Sequence, residues 1–242
     1  MNEKEVITLK ILSLDTSSNI CSVCILEDTN VVLEKHIEDE KTHSQKLMPL
    51  IDEILSEAKL NLSDFDLFVC CTGPGSFTGV RIGVSTVKAF HDVTDIPIAS
   101  VSSLESLAYN TIQDNPPFVC SILDAKNDNV YYGIFEKKEN TFVPLEELGA
   151  KNINDMISIL ETYHSSPILF VGDGAKKYFS LLAQSFQNAT LAEDNHHKQS
   201  SISIGKAGFY HYKRGDFSTD SNAISPLYLR KSQAERALEG EK

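Results

Sequence analysis

Ile11-Leu12-Ser13-Leu14-Asp15-Thr16-Ser17-Ser18 runs into Ile20-Cys21-Ser22-Val23-Cys24-Ile25-Leu26 near the start of the chain. Far downstream, Cys120-Ser121-Ile122-Leu123-Asp124-Ala125-Lys126-Asn127 runs into Val130-Tyr131-Tyr132-Gly133-Ile134-Phe135. Each stretch is an apolar strand ending on Asp, a short polar turn and a second strand, which is the pattern of a β-hairpin. Two copies of one supersecondary unit predict two similar half-domains. Asn115-Pro116-Pro117 marks the join, giving residues 1–115 and 116–242, with a frayed tail expected from about residue 232.

Between the hairpins stands the densest local signal, Gly73-Pro74-Gly75-Ser76-Phe77-Thr78-Gly79. It follows the apolar run Leu67 to Cys71 and precedes a helical pattern from Val80 to His91. Glycine and proline at this density predict a sharp strand-to-helix turn. A helix N-terminus there could cradle an anion. Glycine could equally let another backbone come close, and the rest of the sequence favours that second use.

Leu47, Leu50, Ile51, Ile54, Leu55 and Ala58 recur at helical spacing, with His43-Ser44 at the start and Pro49 expected in the first turn. Further helices are expected from Ser103, over 155–160, 176–186 and 202–212, with strands over 96–101, 168–171 and 226–230. The stretch 187–201 reads as an irregular polar loop holding a solvated His196-His197 pair. Strands alternating with helices, and a hairpin opening each half, predict an α/β chain with mixed sheets.

The chain has 242 residues, 41% of them hydrophobic, and a net charge of −12. That balance argues against direct tRNA or DNA binding by this chain alone, since phosphate neutralisation needs clustered Lys and Arg. No apolar stretch is long enough to span a bilayer, and residues 1–10 lack a signal-peptide core, so a cytoplasmic location and no membrane partner are expected. Cys21 and Cys24 mimic a C-x-x-C, but positions three apart on a strand point to opposite faces. They, Cys70, Cys71 and Cys120 read as buried thiols, and no metal site is assigned.

With these features placed, the chain resembles the bacterial TsaB (YeaZ) family. The matching residues are Leu14 to Ser17, His43-Ser44 with Leu47 and Pro49, Gly73 to Gly83, Ser102-Ser103-Leu104, Asp124-Ala125, Gly172-Asp173-Gly174 and Tyr228-Leu229-Arg230. The match is dense over residues 9–110 and patchy beyond. It implies an actin-like (ASKHA) fold of two ribonuclease-H-like halves. It also implies a non-catalytic platform subunit of the complex that makes threonylcarbamoyladenosine beside the tRNA anticodon. The implied partners are a TsaD-like catalytic subunit and a TsaE-like ATPase, which would carry the ATP and the metal. A homodimer in isolation is a further expectation.

The paralogue TsaD carries H-L-E-A-H, with two metal-binding histidines four apart. Here the corresponding stretch is Ser103-Leu104-Glu105-Ser106-Leu107, without either histidine. No catalytic residue is therefore assigned, and a peptidase reading lacks support. The family's use of two helices as an intersubunit bundle assigns a partner face to His43, Ser44, Leu47, Leu50, Ile51, Ile54, Gly79, Val80, Arg81, Gly83, Val84 and Val87. Packing of those helices on their own sheet is the alternative. Asp15, Thr16, Ser17, Ser18, Asp124, Gly172 and Gly174 form a candidate vestigial nucleotide site. If that site were active, the chain would be an independent actin-like ATPase or small-molecule kinase.

Overall fold

The structure, a computed structural model, describes residues 8–38, 43–163 and 165–230. The expected tail from residue 232 lies outside the described residues. Strands β1 (Lys10–Asp15), β2 (Ile20–Glu27), β3 (Asn30–Glu38), β4 (Leu67–Cys71) and β5 (Ile98–Val101) form one sheet in the order β3-β2-β1-β4-β5. β2 runs antiparallel to both β1 and β3, while β4 and β5 run parallel to β1. Strands β6 (Phe118–Asp124), β7 (Asn129–Lys138), β8 (Thr141–Pro144), β10 (Ile168–Val171) and β11 (Ala189–Leu191) repeat that plan as β8-β7-β6-β10-β11, and β9 (Gly149–Asn152) adds to β7. In this sheet too the hairpin and its neighbour are antiparallel and the two later strands parallel. This duplicated mixed sheet matches the expected pair of ribonuclease-H-like units in an actin-like fold.

Helices α1 (His43–Ala58), α2 (Phe77–Thr94), α3 (Ser103–Asn110), α4 (Ile153–Leu160), α5 (Asp173–Ser185) and α6 (Ser201–Lys213) fill the faces. α1 and α2 cover the outer face of the first sheet, where Leu12, Leu14, Val23 and Phe68 meet Leu50, Ile54, Val84 and Val87. α3 and α6 lie between the two sheets and share a core with Ile11, Val69, Val119 and Phe135. α4 and α5 cover the far face of the second sheet around Ile122, Ile134 and Phe170. α6, late in sequence, thus returns to pack on β1 of the first sheet.

Strand alternation decides which core each side chain joins. Cys21 enters the outer core and Cys24 the core between the sheets, as their spacing predicts. All five cysteines are buried and free. Burial pushes the Cys21 thiol up to about 11 and Cys24 up to about 12, so neither is a ready nucleophile.

Some elements depart from expectation. Pro49 lies inside α1, in its second turn, on the exposed side. β3, β8 and β9 are strands the pattern did not indicate. The stretch 187–201 contains β11 and a 3₁₀ turn at Asp194–His197, and 226–230 forms no strand.

Candidate functional site

The β1–β2 turn is built around Asp15. Its Oδ1 accepts the backbone N–H of Ser17 at 2.7 Å, the local bond that makes Asp a turn residue. The glycine-rich turn then closes over it. Ser76 N donates to Ser17 O at 2.7 Å, and Thr16 Oγ1 donates to Gly79 O at 2.7 Å. A Cβ on Gly75 would collide with the carbonyl oxygen of Ser17, and one on Gly79 with that of Thr16. A Cβ on Gly83 would stand 2.6 Å from Thr16 Oγ1. The glycines therefore serve backbone contact within the chain, as the sequence favoured over an anion cradle. Of this turn's glycines, Gly73 alone has a positive φ, +94°. Ser76 caps α2 by accepting Gly79 N at 3.1 Å. From α1, His43 donates through Nε2 to Ser18 O at 2.6 Å.

This closure buries Asp15 and Ser17. Asp15 Oδ2 and Ser17 Oγ have no hydrogen-bond partner among the described residues. Burial pushes the Asp15 carboxyl up to about 6, against the opposing pull of the Ser17 backbone N–H and of His43.

The β6–β7 turn has the same local bond, Lys126 N to Asp124 Oδ1 at 3.1 Å, and its Ala125 O accepts Arg230 Nη1 at 3.1 Å. Lys126, Asn127 and Asp128 all take positive φ there. Lys126 Nζ and Lys177 Nζ each lie 3.2 Å from the Asp124 carboxylate. Burial would raise this carboxyl, but the Lys126 amide and the two ammonium groups outweigh it and hold it below the usual range. Gly172 has φ +106° and its α-carbon lies against Ile122 O, where a Cβ would collide. A Cβ on Gly174 would stand 2.9 Å from the Leu123 carbonyl carbon. Asp173 Oδ1 accepts Asp124 N at 3.0 Å. So Gly172-Asp173-Gly174 packs onto the end of β6. The candidate nucleotide residues form two separate turn assemblies, each bonded mainly to its own surroundings.

The stretch aligned with the histidine pair is also filled. Ser103 Oγ donates to Pro74 O, and Leu107 is fully buried. Glu105 is buried and accepts His211 Nε2 at 2.8 Å, joining α3 to α6. His197 is not solvated: it is buried, donates through Nε2 to Ala192 O at 2.9 Å and accepts Gly172 N through Nδ1 at 3.0 Å. Both ring nitrogens of a neutral imidazole are thereby used. No cluster of three potential metal ligands occurs among the described residues. No helix of the described residues is long and apolar enough to cross a membrane.

The partner-face assignment needs correction residue by residue. Leu47, Leu50, Ile51, Ile54, Val80, Val84 and Val87 are all buried in the chain's own outer core. Gly79 and Gly83 face Thr16. Their spacing reports packing of α1 and α2 on the sheet beneath. His43 is half-buried, while Ser44 and Arg81 are exposed. The outward surface of the two helices instead carries Met48, Asp52, Thr78, Ser85, Ala89 and Val93. Met48 and Val93 are 50% and 76% exposed, large values for apolar side chains on helices.

Sequence reasoning did not single out Phe77 and Tyr228 as site residues. Their rings stack at 4.4 Å and 13°, and Arg81 Nε donates to Tyr228 Oη at 2.7 Å. The signal available was the four-residue spacing of Phe77 and Arg81 on one helix face.

Comparison with known proteins gives the lineage. The family model TsaD, tRNA N6-adenosine threonylcarbamoyltransferase, matches residues 37–238. The tRNA threonylcarbamoyladenosine biosynthesis protein TsaB of Bacillus subtilis is 28% identical over 94% of this chain and 96% of its own length. TsaB of Buchnera aphidicola subsp. Schizaphis graminum is 30% identical over 69% of this chain and 80% of its own. The solved structure of YeaZ from Pseudomonas aeruginosa superposes with a TM-score of 0.74 at 23% identity, over 91% of this chain and all of that one, which shows a shared fold. Model match and full-length relatives together show that the chain belongs to the TsaB (YeaZ) branch of the TsaD, tRNA N6-adenosine threonylcarbamoyltransferase, family.

Proposed function

We propose that this chain takes part in making threonylcarbamoyladenosine in tRNA, as a non-catalytic cytoplasmic platform that binds and activates a TsaD-like catalytic subunit. Its relatives' names support the pathway. The observation that carries the platform role is the sealed β1–β2 turn. In a phosphate-gripping hairpin the turn's polar groups must be free for the ligand. Here Thr16 Oγ1 is bonded to Gly79 O, Ser17 N to Asp15 Oδ1, and Asp15, Thr16 and Ser17 are all buried, away from any ligand in solution. Ser103 and Leu107 supply no metal ligand and are occupied by packing. ATP, metal and the reacting tRNA are then held by the partners, including a TsaE-like ATPase, and this chain contributes a surface. The outward face of α1 and α2 is that surface, with small residues Ser85 and Ala89 that let a helix approach closely and apolar Met48 and Val93 to bury.

The test is a reconstituted modification assay with the catalytic subunit and ATPase of the same organism. Ser85→Arg is expected to abolish activity and co-elution on a sizing column while melting like the parent, because Ser85 is exposed. Asp15→Asn and Asp124→Asn are expected to leave modification within a small factor. Loss of activity in Asp15→Asn with the complex intact would overturn the platform reading in favour of the actin-like ATPase, a result that nucleotide calorimetry on the purified chain would then corroborate.

A further inference from the structure

We infer that Arg81, held against the stacked rings of Phe77 and Tyr228, is the anchor of the α1–α2 surface and receives a carboxylate of the partner subunit. The inference rests on the partner reading above and adds a residue and a chemistry to it. Phe77 opens α2 and Arg81 follows one turn later on the same side. Tyr228 reaches them from the C-terminal strap, which is tied to the glycine-rich turn by Leu227 N to Thr72 O at 2.8 Å. The guanidinium carbon lies 5.0 Å from the Phe77 ring centre and 5.7 Å from that of Tyr228, with Nε bonded to Tyr228 Oη. Two rings and a hydrogen bond thus fix a long side chain at an exposed position, so little rotamer freedom remains to be lost on binding.

What the cluster leaves unused identifies its ligand. Only Nε is engaged; Nη1 and Nη2 meet no acceptor among the described residues. No described carboxylate comes within 4.0 Å of the guanidinium, although the chain carries 34 acidic residues against 22 Lys and Arg. Paired, parallel N–H groups on a fixed plane suit a bidentate carboxylate. A phosphate backbone fits less well, because the same outward surface carries Asp52 and the chain's net charge is −12. A single Asp or Glu on a helix laid along Ser85 and Ala89 meets an isolated cation without asking for a basic patch. Arginine and tyrosine packed together, with Tyr228 45% exposed, also have the composition of an interface hot spot.

The experiment measures affinity between this full chain and the TsaD-like subunit of the same organism by calorimetry at two salt concentrations. Arg81→Met is expected to weaken binding by about tenfold or more, to flatten the salt dependence, and to leave the melting temperature unchanged. Arg81→Lys is expected to recover only part of the loss, and Tyr228→Phe to lose a few-fold by freeing the guanidinium. If Arg81→Met binds like the parent while Ser85→Arg does not bind, the anchor is wrong and the surface survives. If Ser85→Arg also binds like the parent, the partner surface itself is wrong and this inference falls with it. Unchanged subunit affinity with loss of tRNA binding by the complex, or with loss of self-association only, would overturn the assignment in favour of RNA phosphate or a second copy.

Discussion

The two hairpin turns begin from one design and end in opposite electrostatic states. Each places an Asp at the end of the first strand, and each Asp accepts the N–H two residues on, from Ser17 and from Lys126. The β1–β2 turn is roofed by the glycine-rich turn, so its carboxyl is buried and pushed up to about 6. The β6–β7 turn is covered instead by Gly172-Asp173-Gly174, and its carboxylate keeps two lysines and is held below its usual range. The difference arises from tertiary surroundings. A second backbone lies against each turn, through Gly75 and Gly79 at the first and Gly172 and Gly174 at the second, but only the second also meets two lysines. One sequence pattern can therefore yield a buried carboxyl with no lysine beside it in one half and a lysine-paired carboxylate in the other, which is why a repeat alone does not identify a nucleotide cleft.

The sharpest way to break the comparison is to remove the roof. Gly79→Val would drive a side chain into the Thr16 carbonyl, a backbone atom that cannot swing aside. The cost is expected to be about 3 kcal/mol or more, the upper end for overpacking. For a chain of this length, each kcal/mol moves the melting temperature by roughly 2–4 °C, so a drop near 10 °C is expected in a thermal melt. A melt within 2 °C of the parent, roughly the effect of 1 kcal/mol or less, would mean that the two turns are not fastened together as described.

The next effect concerns the charge under that roof. The Asp15 carboxyl is held at about 6 against its ordinary 3.8. The protonated form is the one the fold prefers. Its stabilisation is fully present below pH 3.8 and is lost as pH rises through 6. The loss at pH 7 and above is at most about 3 kcal/mol. Asp15→Asn keeps the oxygen that accepts Ser17 N and never ionises. It is expected to raise the midpoint of urea unfolding at pH 7.5 and to match the parent near pH 4. A variant less stable at both pH values would show that the carboxylate has a stabilising partner.

Much of this was legible in the sequence, and the failures share a cause. The hairpins were readable because apolar alternation and a terminal Asp are local signals. The tight turn at 73–79 was readable because proline and glycine act locally. β3 was not: it is an edge strand with Val31 and Val32 exposed, and its register shifts opposite Ile25 and Leu26, so no clean alternation survives. The stripe of Leu47, Leu50, Ile51 and Ile54 announced a helix with one buried face. Periodicity is silent on whether the cover comes from the same chain or another, and here it comes from the same chain. His197 gave no local cue, since Gly172 and Ala192, which satisfy it, are brought together only by the fold.

The smallest effect belongs to the lysine-paired turn. Asp124, itself only 11% exposed, is bonded to Lys126 and Lys177, whose side chains are 82% and 45% exposed. Water and salt screen such pairs, so Asp124→Asn is expected to cost at most about 1 kcal/mol. The sign of its pH dependence is opposite to that of Asp15. A carboxyl held low contributes stability that is present above its unfolded value and lost as pH falls through its folded one. The parent's advantage over Asp124→Asn should therefore appear near neutral pH, vanish in acid, and shrink as salt rises. Paired melts at low and high salt would read this directly. A loss of several kcal/mol, or one that salt leaves untouched, would mean that the Asp124–lysine pairs are shielded from water, and the contrast between a carboxyl without a lysine and one with solvent-exposed lysines would have to be abandoned.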